Sequence, residues 1–134
     1  MRDHVKVRVR DVMTSNYVIV DGLTTVKEGI QLARSHEVKA LVVDKRNDED
    51  EYGVVLMNDI AKKVLAQNRS PERTNIYEIM TKPALSVSPD MNVKYCARLF
   101  ERFGISRAPV IEQGKVVGMV SYNNIVINGM VRDD

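Results

Sequence analysis

The sequence has no tryptophan, a single cysteine and few aromatic side chains. Aromatic residues make up 5% of the chain and hydrophobic residues 44%, so we expect a core filled by Val, Ile, Leu and Met. The scarcity of rings also argues against a surface that stacks nucleic-acid bases. Because Cys96 is the single cysteine, an internal disulfide is excluded and the core must hold without one.

Long apolar runs and a strong net charge are missing as well. No apolar run approaches the roughly 20 residues of a transmembrane helix, and we recognise no secretory leader. We therefore expect a cytoplasmic protein that makes no contact with a membrane. The 20 Lys and Arg against 18 Asp and Glu leave a net charge of +2, which argues little for nucleic acid as a partner. The 134 residues suffice for a globular core.

An internal repeat organises the chain. The motif DVMT at Asp11 returns as EIMT at Glu78, 67 positions later, and Val26 returns as Val93 at the same spacing. Further along, YGVVLMND returns as VVGMVSYNN after 65 positions, so the second copy has a shorter hairpin loop. Self-similarity at a fixed spacing indicates a duplicated structural unit.

Both copies predict the order strand, helix, strand, strand, helix. NYVIVD and PALSVS predict the first strands, and TTVKEGIQLARSH and PDMNVKYCARLFERFG predict the helices that follow. Thr24 or Thr25 is the expected N-cap of the first helix and Asp90 that of the second, which we expect to stop at Gly104. VKALVVD with YGVVLM, and SRAPVIE with VVGMVS, predict two hairpins. NDIAKKVLAQ and NNIVINGMV predict the closing helices.

The repeats set the expected domain boundaries. We expect an N-terminal arm or strand over residues 1–10, a first repeat over residues 11–67, a polar linker over residues 68–76 and a second repeat over residues 77–134. The arm contains VKVRVR, in which Val alternates with Lys6, Arg8 and Arg10. This pattern predicts either an edge strand protected by its charges or a basic face for an anionic partner.

Motifs of catalysis and metal binding are missing from the sequence. His4 and His36 belong to no cluster with zinc spacing, and neither a P-loop nor a dinucleotide fingerprint is present. Cys96 lies on the core-facing side of its predicted helix, as buried free cysteines do. The acidic loop NDEDE, residues 47–51, lacks the spacing of a calcium loop and predicts a solvated hairpin tip. We expect no enzymatic activity, no catalytic cofactor and no metal site.

The repeated pattern resembles a tandem pair of cystathionine β-synthase (CBS) domains, called a Bateman module. DVMT, EIMT, the endings GVVLMND and GMVSYNN, and the segments between them carry the resemblance over residues 11 to about 127. It implies an α+β fold in which two pseudo-twofold-related β-α-β-β-α repeats share one core and stand alone, without an effector domain. It also implies a homodimer, with the aliphatic face of NNIVINGMV as a candidate surface, and an effector protein that the sequence does not identify.

The resemblance further implies a cleft between the repeats that binds an adenine nucleotide, AMP, ADP or ATP, as a regulatory ligand. Each repeat carries a version of the family motif Gly-hydrophobic-x-Ser/Thr-x-x-Asp/Asn. The carboxylate or amide suits the ribose hydroxyls, and the hydroxyl reaches a phosphate oxygen. Repeat two has Ser121 and Asn124 in this motif with the cation Arg107 nearby, whereas repeat one has Asp59 but Leu56 in place of the hydroxyl.

We therefore expect the better phosphate site in repeat two. Its expected ligand-binding residues are Thr81, Pro83, Leu85, Ile105, Ser106, Arg107, Ala108, Pro109, Ser121, Asn123 and Asn124. The second half-site is expected at Thr14, Asn16, Val18, Val38, Lys39, Ala40 and Asp59. Lys39 is the nearest counterpart of Arg107 there.

Two alternatives stay open. In the first, the half-sites have decayed, as Leu56 and Asn124 indicate, and the chain is a ligand-free module for protein interaction or dimerisation. Ser121, Asn123 and Asn124 then only cap the last helix. In the second, the basic arm makes it a nucleic-acid-binding regulator, which the small net charge disfavours.

Overall fold

The computed structural model describes residues 7–131. In chain order its elements are α1 (Val9–Val12), β1 (Ile19–Val20), α2 (Val26–His36), β2 (Ala40–Val43), β3 (Gly53–Leu56), α3 (Met57–Ile60, continued as a π-helix over Ala61–Leu65), a 3₁₀ turn (Ile76–Glu78), α4 (Val93–Phe103), β4 (Arg107–Glu112), β5 (Lys115–Ser121) and α5 (Tyr122–Ile125, continued as a π-helix over Val126–Met130). The predicted α+β class is confirmed. Of the helices described, none has the length and apolar character needed to cross a bilayer.

The chain forms two compact units whose bounds differ from those of the sequence repeats. Unit 2 is residues 16–84, and unit 1 combines the segment before residue 16 with the segment after residue 84. Each unit therefore takes the Met-Thr motif of one repeat together with the strands and helices of the other.

Unit 2 is built on a three-stranded sheet in which β1 runs parallel to β2, and β2 antiparallel to β3. Helix α2 begins with the predicted cap, because the Thr25 hydroxyl accepts the Glu28 N–H and the Glu28 carboxylate accepts the Thr25 N–H. This reciprocal arrangement is a capping box, which satisfies two backbone donors at once. The linker belongs to this unit, since the Val26 N–H donates to the Thr74 carbonyl.

Unit 1 contains the β4–β5 hairpin, in which Arg107 lies opposite Ser121 and Val110 opposite Gly118. Helix α4 ends at Gly104 in the left-handed region, as predicted. Its N-cap is Asn92, whose side chain accepts the Lys94 N–H, so the prediction of Asp90 is wrong. The Asp90 carboxylate instead accepts a hydrogen bond from the Arg10 guanidinium at 2.6 Å.

The first strand of each copy is shorter than predicted. NYVIVD reduces to the two residues of β1. The described residues 83–88 form no strand and contribute only a parallel bridge between Val87 and Val110. Pro89 follows two residues later and has no N–H to extend this pairing.

The basic arm differs from the predicted strand. Val5 and Lys6 lie outside the described residues, and Val9 begins helix α1. The Val9 and Arg10 N–H groups donate to the carbonyls of Met91 and Pro89, which fixes the helix against the segment before α4. The Arg8 guanidinium donates to the Asp90 carbonyl, so both described arginines of this arm form hydrogen bonds within unit 1.

The buried apolar side chains of the described residues form two clusters, one in each unit. The unit 1 cluster joins Val9 and Val12 to Phe100 and Val120. The unit 2 cluster joins Ile76 and Ile79 to residues of α2 and the sheet. Each cluster therefore contains side chains from both repeats, and the sharing occurs through exchanged segments.

The exchanged segments pair with the strands that carry the motif glycines. In unit 1 the N–H and carbonyl of Thr14 bond to those of Met119, both at 2.9 Å. A Cβ added at the adjacent Gly118 would lie 2.8 Å from the Thr14 carbonyl oxygen. In unit 2 Thr81 bonds to Val54 in the same way, and a Cβ at Gly53 would lie 3.3 Å from the Thr81 carbonyl oxygen. The glycines are needed because the backbones approach so closely.

Gly118→Ala should lower the free energy of unfolding by about 1–3 kcal/mol, the usual cost of overpacking. The added Cβ would lie 2.8 Å from both the Met13 sulfur and the Thr14 carbonyl oxygen. The sulfur can rotate away, but the backbone oxygen cannot withdraw without breaking the pairing of Thr14 with Met119. Gly53→Ala should cost less, because the atom closest to its added Cβ is the Met80 sulfur, which can rotate away. Urea unfolding followed by circular dichroism measures both values, and equal losses in the two variants would contradict this account.

Cys96 should be unreactive in the folded protein. Its side chain is fully buried, and desolvation raises the pKa of its thiol to about 11. Because the thiolate is the reactive form, labelling with a disulfide reagent at pH 8 should be slow until urea unfolds the chain. Immediate stoichiometric labelling under native conditions would show that unit 1 opens readily around α4.

Candidate functional site

The junction of β5 and α5 in unit 1 brings together the polar residues of the repeat-two motif. The Ser121 hydroxyl accepts the Asn124 N–H at 3.1 Å, and the Asn124 side-chain oxygen accepts the Ser121 N–H at 3.0 Å. Ser121 is buried, Asn124 half-buried and Asn123 exposed. The helix-capping role considered in the sequence analysis is therefore present, and it orients both side chains at the end of β5.

The cation of this site lies on the neighbouring strand. Arg107 begins β4 and pairs in register with Ser121. Its side chain is half-buried, and the loss of solvent lowers the pKa of the guanidinium, which remains a cation at any physiological pH. The preceding Ser106 contributes its carbonyl to the Tyr122 N–H at 3.0 Å. Residues with a hydroxyl, an amide and a guanidinium thus lie at one end of the hairpin.

The corresponding junction in unit 2 retains only part of this arrangement. The Asp59 carboxylate accepts the Leu56 N–H at 3.2 Å, but Leu56 has no hydroxyl to complete the capping box. Ala40 occupies the register position of Arg107, because it pairs with Leu56 as Arg107 pairs with Ser121. Lys39 corresponds to Ser106, since its carbonyl accepts the Met57 N–H. Lys39 is exposed and is not the positional counterpart of Arg107.

The structure exchanges the two threonines between the expected half-sites. Thr14, which we grouped with repeat one, pairs with Met119 in unit 1, two residues before Ser121. Thr81, which we grouped with repeat two, pairs with Val54 in unit 2. The threonines change groups because each pairs with the strand of the other repeat, next to its motif glycine. The Met-Thr motif near the start of each repeat was the sequence signal for such a paired segment.

The remaining expected residues divide between the units. Unit 1 contains Leu85, Ile105, Ala108 and Pro109, and unit 2 contains Asn16, Val18, Val38 and Pro83. Ala108 belongs to the unit 1 core and Pro109 is buried too, so their side chains offer a ligand little surface. Leu85 and Ile105 are half-buried against that core.

Metal binding finds no support in the described part of the chain, where no group of three His, Cys, Asp or Glu is arranged to hold an ion.

The acidic loop differs from the predicted solvated tip at Asp50. The Asp50 side chain is 9% exposed and accepts hydrogen bonds from Lys82 and Arg46. These bonds, that of Lys82 first, hold the pKa of the Asp50 carboxyl well below its usual range.

Two proteins are similar in sequence to this chain over most of its length. It is 29% identical over 122 residues to the CBS domain-containing protein YhcV of Bacillus subtilis, covering 91% of this chain and 85% of that protein. It is 30% identical over 128 residues to the mitochondrial CBS domain-containing protein CBSX3 of Arabidopsis thaliana, covering 88% of this chain and 62% of that protein. The chain thus spans less than two thirds of this second relative.

Solved structures share the fold. A hexameric CBS-CP12 protein from bloom-forming cyanobacteria matches with a TM-score of 0.89 and 36% identity, covering 92% of this chain and 71% of that one. The CBS domain pair of protein MJ0100, in complex with 5′-methylthioadenosine and S-adenosyl-L-methionine, matches with a TM-score of 0.77 and 25% identity, covering 90% of this chain and 93% of that one.

A family model for the CBS domain matches the chain twice, and these two matches cover both copies of the internal repeat. The resemblance drawn from the sequence is confirmed. The chain belongs to the CBS domain family and carries two CBS domains, at residues 9–66 and 76–128.

Proposed function

We propose that this CBS pair is a regulatory module that binds an adenosine-containing ligand, an adenine nucleotide such as AMP, ADP or ATP, at the β4–β5 end of unit 1. The observation that carries the proposal is the pairing of Arg107 with Ser121, directly before the capped start of α5. This arrangement offers a cation and a hydroxyl to the same anionic group.

The cap leaves hydrogen-bonding capacity for a ligand. The Ser121 oxygen accepts the Asn124 N–H, and its own hydroxyl hydrogen can still donate to a phosphate oxygen. The Asn124 oxygen is used by the Ser121 N–H, while its amide NH₂ can donate to a ribose oxygen. Arg107 supplies the charge-assisted bonds, which are roughly twice as strong as neutral ones.

The structural neighbour supports adenosine compounds as the ligand class. The CBS pair of MJ0100 is 25% identical to this chain and was solved with two adenosine derivatives. We infer a regulatory role and no catalysis, because the site we describe binds and orients without an activated nucleophile or base. A bound nucleotide signals to an effector protein only if it favours one of two arrangements of the module.

Arg107→Ala should weaken the binding of ATP, ADP and AMP by about tenfold or more, the value of one charge-assisted hydrogen bond. Binding of 5′-methylthioadenosine should change much less, because that compound has no phosphate. Isothermal titration calorimetry of the full chain measures both affinities. Lys115→Ala, at the opposite end of β5, serves as the matched control and should leave all affinities unchanged.

The serine needs a different substitution. Ser121→Ala would remove the cap along with the hydroxyl, whereas Ser121→Asp keeps an acceptor for the Asn124 N–H and adds a charge that repels phosphate. The proposal fails if no adenosine compound binds the wild-type chain, or if ATP binds Arg107→Ala and wild type equally well.

We also propose that the chain forms a homodimer through the terminal helix. Val126, Ile127 and Met130 are exposed on its π-helical continuation, and such apolar surface in a small protein indicates an interface. Ile127→Glu should convert a dimer into a monomer in light scattering coupled to size-exclusion chromatography. Tyr95→Glu, at an exposed aromatic residue on α4, is the control. A wild-type chain that stays monomeric at high micromolar concentration would refute the dimer.

A further inference from the structure

Unit 2 contains a cavity of about 590 Å³ at the end of its sheet away from Leu56 and Asp59. It lies beyond the last residues of β1 and β2, and its walls include Leu23, Tyr77 and Met80. Leu23 is 71% exposed and Tyr77 50% exposed, so much of this apolar surface is open to a ligand. The volume is within the range of small-molecule sites, roughly 300–1,000 Å³.

Three cations line the same cavity: Lys45, Arg46 and Lys82. The half-buried Asp50 carboxylate fixes two of them, through Lys82 Nζ at 2.8 Å and Arg46 Nε at 3.1 Å. Arg46 is otherwise 79% exposed, so the rest of its guanidinium faces solvent. Lys45 Nζ lies 5.2 Å from the centroid of the Tyr52 ring. The acidic loop thus positions cations at the cavity.

Two carboxylates, those of Asp21 and Asp44, line the cavity as well. Each accepts a backbone N–H of its own turn, from Leu23 at 2.7 Å and from Lys45 at 2.8 Å. Their charge is partly compensated by these bonds, and their presence limits the site to ligands of low negative charge. A ligand with a single anionic group fits this balance better than a polyphosphate.

The corresponding position in unit 1 carries different side chains. By the 67-residue spacing of the repeat, Tyr77 corresponds to Arg10, Leu23 to Asp90 and Lys45 to Glu112. In unit 1 the Arg10 guanidinium lies 2.6 Å from the Asp90 carboxylate and 3.5 Å from that of Glu112. A partly exposed guanidinium with two partly exposed carboxylates therefore lies at the position where unit 2 has an aromatic ring, an aliphatic side chain and an ammonium group.

We propose that the unit 2 cavity binds a small organic anion, with one carboxylate or phosphate group on Lys45 and Arg46 and a ring or other apolar group against Leu23 and Tyr77. The exchange of Glu112 for Lys45 changes the sign of the charge at this position and supplies the anion's partner. Tyr77 supplies a rigid apolar contact surface at low entropic cost. This site is separate from the Arg107 site and does not depend on it.

The test uses the full-length ¹⁵N-labelled chain and three probes: phenyl phosphate, benzoate and phenol. Titration with phenyl phosphate or benzoate should shift the backbone amide signals of Gly22, Leu23 and Arg46 saturably. The anion that binds more tightly identifies the preferred anionic group. Phenol should bind at least tenfold more weakly, because it lacks the charge. Inorganic phosphate should also bind at least tenfold more weakly than phenyl phosphate, because it lacks the ring.

Lys45→Glu is the decisive variant, since it introduces the residue type found at the corresponding position in unit 1. It should weaken phenyl phosphate binding at least tenfold, while Lys115→Glu, a matched change at an exposed lysine of unit 1, should have no effect. A dispersed spectrum shows that each variant is folded. Arg107→Ala should also leave the probe's affinity unchanged, which separates this site from the adenosine site.

Three outcomes would overturn the proposal. The first is the absence of saturable shifts at the cavity amides with both anions. The second is equal affinity of phenyl phosphate for Lys45→Glu and wild type. The third is shifts confined to Ser121, Asn124 and their neighbours, which would assign the probe to the adenosine site.

Discussion

The structure depends on the antiparallel pairing of each Met-Thr segment with a glycine-bearing strand of the other repeat. Thr14 pairs beside Gly118 and Thr81 pairs beside Gly53. Through this pairing each segment delivers its neighbouring apolar side chains, such as Val12 or Ile79, to a core that the other repeat encloses. Neither copy of the sequence completes its own core, which explains why the motif is written twice with the same spacing.

Local patterns predicted the elements well and the pairing partners poorly. The cap at Thr25, the stop at Gly104 and the two hairpins follow from nearby residues, so periodicity and capping rules suffice. The grouping of Thr14 and Thr81 does not follow from them, because two similar segments can pair with either of two similar strands. The polar end at Arg107 and Ser121 was predictable from the motif. The cavity beside Tyr77 was not, because it is lined by three segments that are at least 20 residues apart in the sequence.

The two copies use the same positions for opposite purposes. At the end of the last strand, unit 1 has the complete capping box of Ser121 with Asn124, and unit 2 has only the Asp59 half of it. At the other end of the sheet, unit 1 has the ion pair of Arg10 with Asp90, and unit 2 has a cavity. A duplicated fold permits this difference because corresponding positions in the two copies can carry different side chains while the backbone stays the same.

The division has a consequence for how unit 2 would respond to a ligand. Met80 and Lys82 line its cavity, and Thr81 between them holds β3 through two backbone hydrogen bonds to Val54. A ligand that contacts Met80 or Lys82 therefore contacts the segment that completes the unit 2 core. This segment pairs with β3 at Val54, two residues before the strand ends. Since a ligand shifts an equilibrium only by its difference in affinity for the two states, the ion pair of Lys82 with Asp50 is the contact whose making or breaking would carry that difference. An anion that competes with Asp50 for Lys82 would loosen the segment, whereas one that binds Lys45 and Arg46 would leave the ion pair intact.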